Sequence, residues 1–536
     1  VSGNNKYAQA TGLAVTGAGG KLTNAGTIYV TSGKDGVSYQ NKGILANNGA
    51  TAVNQGVIVA KNAYGMTVGT TGTKSNIVNN GKIYVEETGA GMELGGGSGS
   101  TAVNVGLISV GTPTEEGDGG KDRFGHGVLI NTEGNTFTNE GTIDVADVEM
   151  KEEGKLSAIE IKDKANNTTV NLEAGSAVNG EVHIASGITG TVLKANGFKG
   201  ELALNNDAVD TDDAKALTLN VKDGADLELK DGYGSVISEA VIENGKLTAS
   251  IWQSYKDAEG KDASDNIFKK VVVQEDGIFN VKELNSSSEE EKPHDTLLVK
   301  NSHWVLSGGD LQVAGKTFTG KLKVGTASDT TSFTFDSGDY SYESLTVAKR
   351  GTVAVSAGSV TVGDLTLSDG KKNNSAFVFV DEAGSLTVNG TLSAEGDYTD
   401  DMGVYVVGDL TLGSDAKLAL AENALKIDGE LNAAQNKIFK TTETENEDGT
   451  KTTTYALAEG VDKIVFTEGA GLLLSDNVSM TQKDFTDFLG KLKGTWGEGA
   501  TVPEIVFTNV AFQGDVTFDT ALGYNAYATE VGAGCL

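Results

Sequence analysis

Four histidines, His126, His183, His294 and His303, are the side chains best suited to hold a metal or move a proton near neutral pH. No two stand four residues apart, and the only cysteine is Cys535, so their spacing predicts no zinc site. A nucleophilic serine on a sharp turn is suggested by Gly97-Ser98-Gly99-Ser100, but the Asp of a Gly-Asp-Ser-Gly protease turn is missing, and the segment is expected to be a polar corner. Asp257, Glu259, Asp262 and Asp265 bring oxygen ligands close together, as calcium requires. They lack EF-hand spacing and any calcium-binding nonapeptide repeat, so a solvated acidic loop is expected, with calcium the one cofactor left as an alternative. No Arg-Gly-Asp tripeptide occurs. The sequence therefore predicts no catalytic residue, no cofactor-binding residue and no metal ligand, and the chain is expected not to be an enzyme.

The elements that would position such groups are announced by composition. Glycine contributes 72 of 536 residues and proline only 3, which suits tight corners between short strands rather than a disordered Pro-Gly segment. A hydrophobic fraction of 38%, spread as short Val, Leu, Ile and Ala alternations, fits a narrow stacked core. The formal net charge of −32 excludes nucleic acid, because phosphate binding needs clustered cations, and it disfavours anionic lipid and heparin on the same ground. With one cysteine no intrachain disulfide is possible, which suits a chain exported unfolded. There is no run of eighteen apolar residues and Val1 opens a polar stretch, so neither a signal peptide nor a membrane helix is expected within the sequence.

One pattern recurs five times: LTNAGTIYV at 22–30, AVNQGVIVA at 52–60, IVNNGKIYV at 77–85, AVNVGLISV at 102–110 and FTNEGTIDV at 137–145. Parity puts the aliphatic residues, the Asn and the Gly on one inward strand face. Each copy follows a short strand that starts at Gly12, Gly36, Gly65, Gly91 or Gly127, so a repeat reads as one coil of a parallel β-helix of about 25 residues, with corner insertions such as 111–127. Asn24, Asn54, Asn79, Asn104 and Asn139 are expected to stack as a ladder, each amide donating to the next at the ~4.8 Å strand spacing and thereby satisfying a buried polar group. Outward positions after the repeat's Ile are Tyr29, Val59, Tyr84, Ser109 and Asp144, neither a carboxylate ladder nor an aromatic sugar platform.

Beyond residue 180 the strand grammar continues with a changed consensus, in which VGDL (362–365 and 407–410), VNGTL and IDGEL mark a second family of coil. Charged excursions are expected at 252–268 and 285–295, and a hairpin at 440–457 turning at Asp448-Gly449. Residues 481–493 predict a helix, with Thr481 as cap, an apolar face of Phe485, Phe488, Leu489 and Leu492, and Gly494 as the stop. It either covers the last open coil or packs laterally on it.

The N-x-G-x-I-x-V copies and stretches such as Gly384-Ser385-Leu386-Thr387-Val388-Asn389-Gly390 resemble the passenger domains of bacterial autotransporters, exported by the type V route. That resemblance implies an all-β, right-handed parallel β-helix, displayed on or released from a Gram-negative outer membrane. The family's C-terminal translocator barrel is not expected within this sequence. Three regions are expected: an N-terminal β-helix at 1–180, a continuing β-helix with insertions at 181–475, and a capping segment with the helix at 476–536. The expected role is a surface-displayed or secreted adhesin, a rod of about 20–25 coils and on the order of 100 Å. It would contact host or matrix glycans or proteins, or self-associate. The alternatives are a subunit of a surface layer or filament, and a polysaccharide lyase or hydrolase built on the same fold.

Overall fold

The computed structural model describes residues 2–3, 10–32, 41–69, 74–111, 125–146, 156–205, 217–231, 236–256, 262–284, 296–326, 330–370, 376–396, 398, 403–480, 482–496 and 501–512. The chain divides into two compact units, residues 1–283 with 309–317, and residues 284–308 with 318–536. Each is a right-handed parallel β-helix. Among the described residues no helix is long and apolar enough to cross a membrane.

In the first coils of the N-terminal unit, residues 11–184, the strands stack on three faces, whereas from Leu217 to Val281 the described strands, the Trp252–Asn266 pair aside, fall in two stacks. Face A stacks Thr11–Thr16, Lys42–Asn47, Gly125–Ile130 and Leu156–Ile161, with the second halves of Val57–Val68 and Lys82–Leu94 between them. Face B stacks Lys21–Asn24, Thr51–Asn54, Asn76–Asn79, Thr101–Asn104, Thr136–Asn139 and Thr169–Glu173. Face C stacks Thr27–Ser32, the first halves of Val57–Val68 and Lys82–Leu94, then Leu107–Val110 and Thr142–Val145.

The repeated motif is therefore not one strand. It turns a corner, running from face B through its Gly to face C. Asn and Ile keep their inward positions, but the glycines occupy the bend, stacked so closely that a Cβ on Gly56 or Gly106 would collide with the carbonyl oxygen of the glycine one coil below. A second glycine column, Gly12, Gly43, Gly65, Gly91 and Gly127, lies at the start of face A. There a Cβ on Gly91 would sit 2.6 Å from Cγ2 of Ile108, so these glycines admit the motif's isoleucine column across the narrow core. Gly43 fills the place expected of Gly36, which lies outside the described residues, as do 112–124 of the expected corner loop. Ile58, Ile83, Ile108 and Ile143 are fully buried.

The C-terminal unit has its own three faces. Face D carries the inward column Trp304, Phe333, Val353, Val378, Val404, Leu425 and Ile464. Face E carries Val360, Leu386, Leu410, Leu431 and Leu472, and face F carries Leu297, Leu322, Leu345, Leu365, Leu392 and Leu418. These registers revise the meaning of VGDL. At 362–365 it turns from face E to face F, as VNGTL does one coil on, with Asp364 Oδ1 accepting the Thr391 N–H at 2.6 Å. At 407–410 it turns from face D to face E, as does IDGEL. It is a corner motif serving two different corners, because both need a glycine where backbones crowd: a Cβ on Gly363 would collide with the Glu343 carbonyl oxygen, and one on Gly408 with that of Asp381.

Two insertions interrupt the stacking. Trp252–Lys256 and Asp262–Asn266 form an antiparallel pair on the N-terminal unit, while 285–295 lie outside the described residues. Phe439–Glu445 and Lys451–Leu457 form the hairpin on the C-terminal unit, turning through Gly449 at φ 78°. The helix spans Gln482–Thr495 and lies against that hairpin: Lys491 Nζ donates to the Thr453 carbonyl at 3.1 Å and sits over the Tyr455 ring. Leu492 is fully buried, and Trp496 packs edge-on to Phe439 and Phe466. The chain then returns to the solenoid, where Glu504–Phe512 pairs in parallel with Gly471–Met480. The helix is thus a lateral insertion between two stacked strands. Thr481 and Cys535 lie outside the described residues.

Candidate functional site

The five asparagines come together as one column at the end of face B. Asn24 Nδ2 donates to Asn54 Oδ1 at 2.8 Å, Asn54 to Asn79 at 2.9 Å, Asn79 to Asn104 at 2.8 Å and Asn104 to Asn139 at 2.9 Å. Apart from Asn24, which is 6% exposed, all are at 0%. The column stops because the next coil offers Leu172 in register, and Asn139 Nδ2 turns to the Ala177 carbonyl at 3.1 Å. Four residues before three of these asparagines runs a second column that the sequence reading missed. The Gly49 N–H meets Ser75 Oγ at 3.1 Å, the Ser75 N–H meets Ser100 Oγ at 3.1 Å, and the Ser100 N–H meets Asn135 Oδ1 at 2.8 Å. Ser100 of the Gly-Ser-Gly-Ser segment is therefore a buried corner acceptor. The signal available was a polar residue at a constant offset from each ladder Asn.

Titratable chemistry collects on the outward side of face A, where strands are buried on both surfaces. The histidines are far apart in sequence, but coil stacking brings His126 and His183 into one cluster. His126 lies beside Ser157 in register, with Nδ1 2.7 Å from Ser157 Oγ, and Glu160 lies beside His183, with Oε2 3.1 Å from Nδ1. Lys162 Nζ stands 3.0 Å from Glu160 Oε1. Burial holds the His126 imidazole down at about 4, so it is neutral at pH 7. Burial alone would raise Glu160, but the His183 hydrogen bond and the neighbouring charges of His126, His183 and Lys162 win, and it lies below its ordinary value. In the same register column as Glu160, two strands earlier with Leu129 between them, burial pushes Glu93 up to about 7 against the Lys42 charge and hydrogen bonds from Thr67, Tyr64 and Asn131. Burial followed by Glu93 raises the Tyr64 phenol.

Ser157 against His126 has the residue types of a nucleophile and its base, but the Glu160 carboxylate is hydrogen-bonded to the other histidine, His183. At 1% exposure for Ser157 and 3% for His126, no substrate carbonyl reaches Oγ, and the cluster works as a polar clasp between strands. His303 makes a separate exposed contact, Nδ1 to Ser332 Oγ at 2.8 Å, and His294 lies outside the described residues. Among the described residues no group of three or more His, Cys, Asp or Glu is arranged to hold a metal. Residues 257–261 of the acidic loop lie outside the described residues, and Asp262 and Asp265 sit on a paired strand.

Two surfaces could meet a partner. On face E, Asp409 and Glu430 are in register on adjacent strands, and with Glu382 and Glu504 they line a groove of about 340 Å³ floored by Gly408, Gly429 and Gly471. Partial burial, then the Asp409 charge, raises Glu430. On face B of the N-terminal unit the outward columns are Thr51, Asn76, Thr101, Thr136, Thr169 and Val53, Val78, Val103, Thr138, Asn171. All ten are half-buried, and Thr101 Oγ1 donates to Asn76 Oδ1 at 2.7 Å. Within these two columns no charge stands between Lys21 and Lys194, and Glu173 borders them at the end of Thr169–Glu173.

A scan against models of known protein families finds no match, and a search of curated proteins finds none either.

Proposed function

We propose that the chain is the passenger of a bacterial autotransporter, displayed at or released from the cell surface, where it acts as an adhesive element whose contacts are made by its flat solenoid faces. The uncharged surface on face B carries this reading. A chain of net charge −32 repels most acidic cell-surface polymers and its own copies. Contact is most favourable where charge is absent, and over five consecutive coils, about 19 Å at the ~4.8 Å strand spacing, the two columns present hydroxyl, amide and methyl groups alone. The patch is smaller than the ~800 Å² per partner of a stable interface, so adhesion rests on many weak copies acting together. The decisive experiment is settling and light scattering of cells or beads coated with the chain, across a salt series. Clustering should strengthen as salt screens the net charge, and Val103→Lys should weaken it several-fold with circular dichroism unchanged. Equal clustering by V103K, or clustering abolished by salt, refutes the proposal. Ordered filaments of the purified chain would instead favour a surface-layer or filament subunit.

A further inference from the structure

Face D of the C-terminal unit presents aromatic rings outward, a feature that the repeat pattern of the N-terminal third gives no hint of. Phe377 and Phe379 alternate with the buried Val378 and Val380 on Phe377–Val388, and Tyr405 lies in register with Phe379 on the next strand. All three rings are half-exposed. The two phenylalanines are nearly parallel, with centroids 6.3 Å apart at 14°, and Tyr405 follows at 5.7 Å from Phe379, tilted by 44°. Small residues flank them: Thr352 and Ala354 one coil before, Gly403 beside Phe377 one coil after. At the far end Lys426 lies 4.9 Å over the Tyr405 ring. The Tyr405 hydroxyl donates to Asp428 Oδ2 at 2.9 Å, and Thr467 Oγ1 donates to the other carboxylate oxygen. Cross-strand aromatic pairing alone stabilises a sheet by up to about 1 kcal/mol. It requires neither parallel outward rings on one strand nor a carboxylate and an ammonium at their border.

We infer that Phe377, Phe379 and Tyr405 form a stacking platform for a neutral glycan. The pyranose C–H faces would lie on the rings, whose π-faces are electron-rich, and the sugar hydroxyls would meet Asp428, Lys426 and Thr467. Aromatics are only 6% of the chain, so three neighbouring half-exposed rings are a local concentration. The border charges of Lys426 and Asp428 cancel, and the net charge of −32 opposes uronate or sulfated polymers, which selects an uncharged ligand. The inference rests on the adhesive reading only for its biological setting, since the platform is distant in sequence from the face B surface and is tested separately.

The experiment is calorimetric titration of the full chain with cellohexaose, N-acetylated chitohexaose and, as the anionic counterpart, hexagalacturonate. One neutral hexasaccharide should bind in the high-micromolar to millimolar range, Phe379→Ala should weaken it at least tenfold, and Tyr405→Phe, which keeps the ring and frees Asp428, by a smaller factor. Should F379A unfold, Phe377→Leu provides the same loss of stacking with less lost volume. Failure of both neutral sugars to bind, preference for the galacturonate, or unchanged binding by F379A and F377L overturns the platform. In each of those cases the clustering assay with V103K stands independently.

Discussion

Truncation of Asn79 to alanine isolates what the asparagine column contributes. The substitution deletes the donor to Asn104 Oδ1 (2.8 Å) and the acceptor of Asn54 Nδ2 (2.9 Å). Asn54 Nδ2 keeps the Gly56 carbonyl at 3.2 Å, so its loss falls near the low end of the range for an unsatisfied buried group, about 1 kcal/mol. Asn104 Oδ1 has no such reserve and costs about 2 kcal/mol. The expected destabilisation is therefore ~3 kcal/mol. At the column's end, Asn139→Ala takes one acceptor from Asn104 Nδ2, which keeps the Gly106 carbonyl at 3.3 Å and the Thr142 carbonyl at 3.2 Å, so about half that cost is expected. Because a solenoid opens coil by coil, the right assay is amide hydrogen exchange at Val53, Val78 and Val103 rather than a global melt. N79A should speed exchange there by about 100-fold and N139A by about 10-fold. Equal effects of the two variants, or an N79A effect below about threefold, would mean that the amides tie no coil to the next.

Two stability predictions follow. His126 folds with its pKa depressed from 6.5 to about 4, and Glu93 with its own raised from 4.5 to about 7. The native state therefore loses about 3 kcal/mol from His126 as pH falls from 6.5 towards 4, and regains about 3 kcal/mol from Glu93 between 7 and 4.5. The wild type should melt at nearly constant temperature from pH 6.5 to 4.5, while Glu93→Gln loses stability on acidification and His126→Asn gains it, a pair of opposite slopes readable by calorimetry. Gly91→Ala forces a methyl to 2.6 Å from Ile108 Cγ2 and 2.7 Å from the Gly127 carbonyl, so it should cost about 1–3 kcal/mol, whereas Gly490→Ala in the exposed helix face meets nothing within 4 Å and should stabilise by about 1 kcal/mol. A neutral G91A would contradict the close approach of faces A and C.

What the sequence shows depends on whether a residue speaks through its own strand or through its neighbour in the stack. Alternating parity is local, so the inward Ile28, Ile58 and Ile83 and the hairpin at Asp448-Gly449 are legible from residues a few places apart. Corners are less so: Asn24 and Gly26 share a parity, yet a bend between them puts the glycine at a backbone crossing, because period-two patterns carry no record of where a strand ends. The glycine column went to Gly36 instead of Gly43 for a related reason, since coil length varies and only the paired register identifies the equivalent position. VGDL was misleading in the opposite sense, one local solution used at two different corners.

The side chains with chemical potential were the least legible because stacking, not sequence, makes them neighbours. His126 and Ser157 are 31 residues apart and Glu160 and His183 are 23 apart, yet each pair is in direct contact. Phe379 and Tyr405 meet only because a coil there is 26 residues long. One residue inserted inside Gly403–Val406, ahead of Tyr405, would turn the tyrosine inward and leave the phenylalanine alone. A parallel solenoid thus converts coil length into site composition: corners absorb insertions without disturbing the core, while each strand's register decides which outward groups adjoin. Function on this fold is accordingly sought in columns, and the two uncharged columns of face B and the aromatic column of face D are where neighbouring coils agree on one chemistry.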